Sequence, residues 1–259
     1  REDHARYMTS AKIADECIDC VLTALKESGH DKDTIVIFTT DHGLANPYSK
    51  CTLFDSGIGV SLIMHVPNAK ANGCVCDSLI SQLDIFPTLC ELLKLKQPDH
   101  LYGVSFAKCF EDPSVKPRDK VYAEVNFHTS YEPIRCVRTE RYKYIRYYDC
   151  EWLKTNCSNI DESLTKDRFM QEGLAERVKI REALYDLFYD TNERNNCIDD
   201  PALEAIVDEL RSSLEAEMER SCDPLLQGVI EVQPTWKVNK KECLTASSKN
   251  ADDYVSLGQ

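Results

Sequence analysis

The apolar run Thr34-Ile-Val-Ile-Phe38 closes on Thr39-Thr-Asp-His-Gly43. Five consecutive residues with strong strand preference predict a buried strand that stops where polarity begins. Open α/β sheets place their sites at the carboxyl ends of such strands. Asp41 offers a hard oxygen and His42 a neutral imidazole, while Gly43 lets the chain turn away without crowding an ion. Lys50 and Cys51 follow in a short polar loop, and an apolar pattern resumes from Leu53 to Pro67. The tripeptide alone is equally compatible with a strand that simply ends in a polar turn.

The flanking pattern supplies the fold class. Met8, Ala11, Ala14, Ile18, Val21, Leu22 and Leu25 recur at helical spacing over residues 5–28, and Gly29 is a stop signal. Gly59 to Val66 predicts a second strand. Asp77 to Leu95 predicts another helix with Leu79, Ile80, Leu83, Phe86, Leu89, Leu92 and Leu93 inward, restarted at Asp84 and Pro87. Beyond Asp112-Pro113 the character changes. Lys120–Val125, Ile134–Thr139 and Tyr142–Tyr148 predict strands, the last two joined as a hairpin through Glu140-Arg141. Arg181–Leu187 predicts a fourth, and Asp199-Asp200-Pro201 opens an amphipathic helix carrying Leu203, Ile206, Val207, Leu210 and Leu214. The division expected is an α/β portion over 1–112, a smaller α+β subdomain over 113–230, and a loosely held polar tail over 231–259.

Composition narrows the partners. A formal net charge of -13 argues against nucleic acid and anionic membranes. No stretch is long and apolar enough to span a bilayer. Arg1 is followed by no charged-then-apolar leader, which fits a processed or partial chain. The 13 cysteines are odd in number and irregular in spacing. Cys17, Cys20, Cys90 and Cys136 occupy positions that suit a small apolar filler, so a reducing, cytoplasmic setting is favoured. Cys17–Cys20 and Cys74–Cys76 invite a metal reading, but the first pair lies on a predicted helix with no second ligand pair at zinc spacing and fits packing better. Asn156-Cys157-Ser158 formally matches a glycosylation sequon.

Several runs together resemble the sulfatases of the alkaline phosphatase superfamily. They are Asp33-Thr-Ile-Val-Ile-Phe-Thr-Thr-Asp-His-Gly43, Lys50-Cys-Thr-Leu-Phe-Asp-Ser-Gly-Ile-Gly-Val60 and Gln82-Leu-Asp-Ile-Phe-Pro-Thr-Leu89, followed by Val137-Arg-Thr-Glu-Arg-Tyr-Lys-Tyr-Ile145 and Leu184-Tyr-Asp-Leu-Phe-Tyr-Asp190. The ordered series, from about residue 5 to about residue 220, resembles the C-terminal portion of sulfamidase-like and heparan-type sulfatases. The resemblance implies an α/β fold: part of an alkaline-phosphatase-like sandwich, with a mixed sheet flanked by helices. A smaller α+β subdomain with an antiparallel sheet follows it.

The resemblance also implies roles. Asp41 and His42 are expected as two ligands of a divalent cation, usually Ca2+ in the family. Histidine in place of the common asparagine leaves Mn2+ or Zn2+ open. Lys50 is expected to meet the sulfate oxygens, and His128 to face the pocket and help hold a sulfated sugar. For Lys50 the alternative is a solvated loop lysine, and for His128 a surface histidine. Arg135, Arg138 and Arg141 fit pairing with acidic neighbours better than gripping substrate. His4 and His65 fit structural roles.

The family's formylglycine nucleophile arises in a Cys/Ser-x-Pro/Ala-Ser-x-Arg signature, and none of the cysteines sits in one. No Asp-Asp pair closes an apolar strand. The expectation is therefore a segment whose nucleophile and remaining ligands belong to a missing N-terminal half. Three readings compete. One is a hydrolase of sulfate esters or sulfamates. Another is a metal-dependent phosphoester or phosphonate hydrolase of the same superfamily. The third is a non-catalytic sugar-binding protein.

Overall fold

The computed structural model describes residues 1–255. By internal contacts the chain divides into two compact units, Arg1–Thr40 with Ser61–Asp119, and Asp41–Val60 with Lys120 onward. The segment that follows the first strand, carrying Asp41, His42 and Lys50, thus belongs with the second unit.

In the first unit, helix α1 runs Glu2–Glu27. Glu2 and Asp3 lie in its first turn and Lys26 in its last, each sign complementing the helix dipole. Gly29 follows at φ 78°, a left-handed turn that suits glycine. None of the helix's residues is buried, and Met8, Val21 and Leu22 are 55%, 68% and 44% exposed. The stripe expected to face inward lies open. Periodicity reports that a face is apolar, not what covers it.

Strand β1, Val36–Thr39, pairs antiparallel with β2, Leu62–His65, with Ile37 opposite Met64. The strand expected to be buried is shorter than its apolar run, and Phe38 and Thr39 are exposed. Helix α2, Ile85–Leu92, begins after a tight turn at Gln82–Asp84. There Ser81 and Asp84 form a reciprocal cap, the Asp84 carboxylate accepting from Ser81 N at 2.8 Å. Asp84 is fully buried, accepts from Val104 N at 2.7 Å and pairs with Arg118. Thr88 Oγ1 donates to Asp84 O and accepts from Phe106 N. This polar core turns Asp84, Pro87, Thr88 and Cys90 inward and leaves Leu83, Phe86 and Leu93 outside. The apolar count misassigned that face because a fully bonded carboxylate can be buried where a leucine was expected.

The second unit is built on a four-stranded antiparallel meander: β3 (Val121–Phe127), β4 (Tyr131–Arg138), β5 (Tyr142–Tyr147) and β6 (Glu182–Asp186). The hairpin at Glu140-Arg141 is present, Thr139 N donating to Tyr142 O at 2.8 Å. Alternation splits the sheet into two faces. Ile134, Cys136, Ile145, Ala183 and Tyr185 pack with Leu53 on one. Val137, Tyr144 and Leu184 on the other meet a long helix. The unit's longer helices among the described residues are α3 (Leu164–Gln171, capped by Ser163) and α4 (Glu204–Arg220). Val207, Leu210, Leu214 and Met218 of α4 fill the second face.

Residues after 231 are not a loose tail within the described range. Val238, Asn239 and Cys243 are buried, Asn239 N donates to Thr129 O at 2.7 Å, and Asn239 bridges to Ser130 and Tyr254. Isolated backbone bridges leave no periodic signal in sequence, so a polar composition concealed a docked segment. All 13 cysteines are free thiols. Cys90 and Cys136 are buried as expected, but Cys17 and Cys20 are exposed with the rest of α1. Among the described residues no helix is long and apolar enough to cross a membrane.

Candidate functional site

The loop from Asp41 to Val60 folds tightly on itself before it presents any chemistry. Gly43 N donates to Gly57 O at 2.9 Å, and a Cβ at Gly43 would meet Ser56 O at 1.7 Å. Only glycine permits that approach. Lys50 N closes onto Leu44 O at 3.0 Å, and Thr52 Oγ1 donates to Ser49 O. Tyr48 and Cys51 hold φ of 63° and 66°, so the backbone is left-handed on both sides of Lys50. Such strain persists only where the surroundings over-determine it.

Those surroundings are ionic. Asp55 N donates to Glu193 Oε2 at 2.5 Å, and the Asp55 carboxylate accepts from Arg138 Nε and Nη2 at 3.2 and 3.1 Å. Fully buried Lys143 sits 2.5 Å from Asp55 and 2.8 Å from Glu193. Burial alone would raise the Asp55 carboxyl. The bond from Arg138 and the charge of Lys143 outweigh it and hold it below its ordinary value. Glu193 goes the other way, burial raising it despite Lys143.

On this frame Lys50 Nζ donates to Asp161 Oδ2 at 2.8 Å, with side-chain exposures of 20% and 37%. The Asp161 bond raises the Lys50 ammonium above its ordinary value against an opposing burial effect. His128 lies in the β3–β4 turn. Burial lowers its pKa and the Lys50 charge lowers it further, both favouring the neutral imidazole. The turn is fixed by Asn159, whose Oδ1 accepts from Thr129 N, Thr129 Oγ1 and Ser130 N, each at 3.0 Å. His42 Nδ1 donates to Gly43 O at 2.8 Å, leaving Nε2 3.4 Å from Asp41 Oδ2. One ring nitrogen is thus committed to a carbonyl, as the second nitrogen of a metal-bound histidine commonly is, and the other faces a carboxylate. Asp41 and His42 therefore fit as two members of a cation's ligand set. Among the described residues no group of three or more His, Cys, Asp or Glu completes it.

The fold thus brings Asp41, His42, Lys50 and His128 into one electrostatic neighbourhood, in which Asp161 acts on both Lys50 and His128. Sequence reasoning missed Asp161, Asn159 and Glu193, since no local spacing links Lys50 to a carboxylate 111 residues away. The arginines pair with carboxylates, but only Arg141 does so beside the hairpin, with Asp186; Arg135 pairs with distant Asp223 and Arg138 with distant Asp55. Beside Lys50 a cavity of about 430 Å3 is lined by Cys51, Glu132, Tyr147, Asn159 and Tyr185 among others.

Residues 41–158, which hold all four expected site residues, match the family described as N-sulphoglucosamine sulphohydrolase, C-terminal. The chain is 27% identical over 241 residues to a Δ4,5-hexuronate-2-O-sulfatase of Bacteroides thetaiotaomicron, covering 89% of this chain and 44% of that protein. It is 24% identical over 258 residues to human N-sulphoglucosamine sulphohydrolase, covering 89% and 51%. The chain is similar to the sulfatases. It matches the family's C-terminal portion and spans about half the length of these sulfatases or less. Among solved sulfatases, a 2-O GAG sulfatase superposes with a TM-score of 0.65 at 26% identity, over 86% of this chain and 44% of that one. The α/β class with an antiparallel-sheet subdomain is therefore that of the alkaline-phosphatase-like sulfatases.

Proposed function

We propose that this chain supplies the anion-binding lysine and two cation ligands of a sulfatase acting on a sulfated sugar. The observation that carries the reading is Lys50 itself. Its ammonium is paired with Asp161, flanked by left-handed backbone, and set in the same neighbourhood as Asp41, His42 and His128. A solvated loop lysine has no reason to be held this way.

In this reading Lys50 keeps two N–H donors beyond the one given to Asp161, and these meet the sulfate oxygens and offset charge growing on the leaving oxygen. His128, in the neutral form its surroundings favour, offers a donor or an acceptor to a sugar hydroxyl without adding a second charge. Asp41 and His42 would hold the divalent cation, Ca2+ by family habit, with Mn2+ or Zn2+ also compatible with an imidazole donor. Bound there, the ion would polarise sulfate oxygens as a Lewis acid. The formylglycine nucleophile and the further ligands are proposed to come from sequence outside residues 1–259, the N-terminal half of the catalytic domain.

The test is sulfate release from N-sulfated glucosamine and from a 2-O-sulfated unsaturated disaccharide, beside matched phosphate monoesters. The protein is assayed alone and together with the N-terminal half. Sulfate release that requires Lys50 supports the proposal. Preference for phosphate esters would transfer it to the phosphoester hydrolases, and sugar binding without turnover under every condition would leave a binding protein.

A further inference from the structure

We infer that Asp161 is a positioning residue for the sulfatase site: it fixes the Lys50 ammonium and, through the segment it rides on, aligns Lys50 with His128. The inference rests on the proposed role of Lys50. A lysine head on a four-carbon stem has many rotamers, and a catalytic ammonium must lose most of them. Asp161 removes that freedom with one hydrogen bond of 2.8 Å and leaves two donors unspent.

The segment from Asn156 to Asp161 has the rigidity this requires. Ser158 is fully buried, and Asn156 and Asn159 are each 3% exposed. Asn156 donates to Ser130 Oγ at 2.9 Å and to Tyr131 O at 3.1 Å, while Asn159 takes four bonds from Thr129 and Ser130. The residues so gripped are the turn carrying His128. Two positions later the same segment presents Asp161 to Lys50. One short stretch of chain therefore sets both side chains, and any slip of it moves them together.

A carboxylate next to an anion site also has a cost that a purely structural pair would not show. It weakens ground-state attraction for sulfate while keeping the ammonium where charge develops. Removing it should separate kcat from KM. In the intact protein, Asp161→Asn should lower kcat about tenfold to hundredfold, the loss associated with small misplacements of catalytic groups, with KM unchanged or lower. Asp161→Glu should restore part of kcat. In a Lys50→Ala background Asp161→Asn should change kcat by less than about twofold, since the group it positions is gone.

A second arm needs no turnover. Under limiting acetic anhydride with peptide-resolved mass spectrometry, Lys50 should acylate more slowly than exposed Lys249, and Asp161→Asn should speed it several-fold. Unchanged acylation overturns the inference, as does an Asp161→Asn loss of the same size with and without Lys50, or a rise in KM at constant kcat. Turnover indifferent to Lys50→Ala sinks the sulfatase-site reading instead, which the acylation arm identifies separately.

Discussion

Arg135 and Asp223 meet as a two-pronged pair closed off from solvent, Nε to Oδ2 at 2.5 Å and Nη2 to Oδ1 at 2.9 Å, with side-chain exposures of 3% and 2%. The guanidinium's remaining donors are spent on Val125 O, Ile134 O and Asn126 Oδ1, so no charge is left unmatched. The pair joins β4 to the turn that follows α4. Asp223→Ala would leave the arginine buried and uncompensated and should cost about 3–5 kcal/mol. Urea unfolding of the variant should show a lower midpoint at unchanged slope.

Acid should find the same joints. Burial would raise the Asp223 and Asp55 carboxyls, but the hydrogen bonds from Arg135 and Arg138 outweigh it and hold both below their ordinary 3.8. A depressed folded pKa gives stability that is present above the unfolded value and lost as pH falls through the folded one. Glu193 opposes them: its folded pKa lies above 4.5, so it takes up a proton first. Net stability should therefore change gently down to about pH 4 and fall below it as the aspartates protonate. Thermal melts across pH 2–7 test this, and a protein equally stable at pH 2.5 and pH 6 would remove these pairs from the account.

How much of this was legible depended on whether the signal was local. The meander and α4 came through because alternation at Ile134–Val137 and helical spacing at Val207, Leu210 and Leu214 are read within a few residues. The ordered motifs carried the family in the same way. What failed was everything set by a distant partner. Leu83 and Phe86 were expected inside, yet Asp84 and Arg118 took that place. Lys50 was visible as a candidate, but its partner Asp161 was not, and neither was the grip of Asn159 on the His128 turn. Hydrogen bonds between residues 30 to 111 apart leave no period in a sequence.

The Asn156-Cys157-Ser158 sequon makes a separate prediction. Asn156 is 3% exposed, its amide nitrogen donating to Ser130 and Tyr131 and its oxygen accepting from Lys179 Nζ at 3.0 Å. A glycan there has no room once the chain is folded. Peptide mapping after secretion from a glycosylating host should find Asn156 unmodified. Asn156→Ala should destabilise by about 1–3 kcal/mol, because it strands buried partners.

Thiol chemistry should map the fold without a mutation. Cys17, Cys20, Cys74, Cys150 and Cys222 are exposed and should react with a disulfide reagent at once. Cys136 is buried against the sheet and pushed up to about 12 by that burial, so it should react only on unfolding. Cys51 is the discriminating case. It neighbours Lys50, whose charge favours thiolate, yet burial dominates and pushes it up to about 11. Time-resolved labelling with mass spectrometry should place Cys51 among the slow thiols, and a fast Cys51 would mean the Lys50 loop opens freely.

Removal of the proposed cation ligands should separate metal content from folding. Asp41 is mostly exposed, and among the described residues its charge-bearing neighbour at bonding range is His42, 3.4 Å away. Little stability hangs on such a pair, so Asp41→Ala should shift unfolding by less than about 1 kcal/mol. Loss of a ligand should nonetheless weaken cation binding in the complete enzyme far more than loss of a neighbouring charge. The distinction is testable with His42→Gln, which retains an amide oxygen as donor. If the ion is Ca2+, an oxygen donor should serve it and restore binding. If it is Zn2+, exchange of imidazole for amide should abolish it. Elemental analysis of wild type, Asp41→Ala and His42→Gln after dialysis against each metal reads the answer. Equal metal content in all three would place the cation elsewhere.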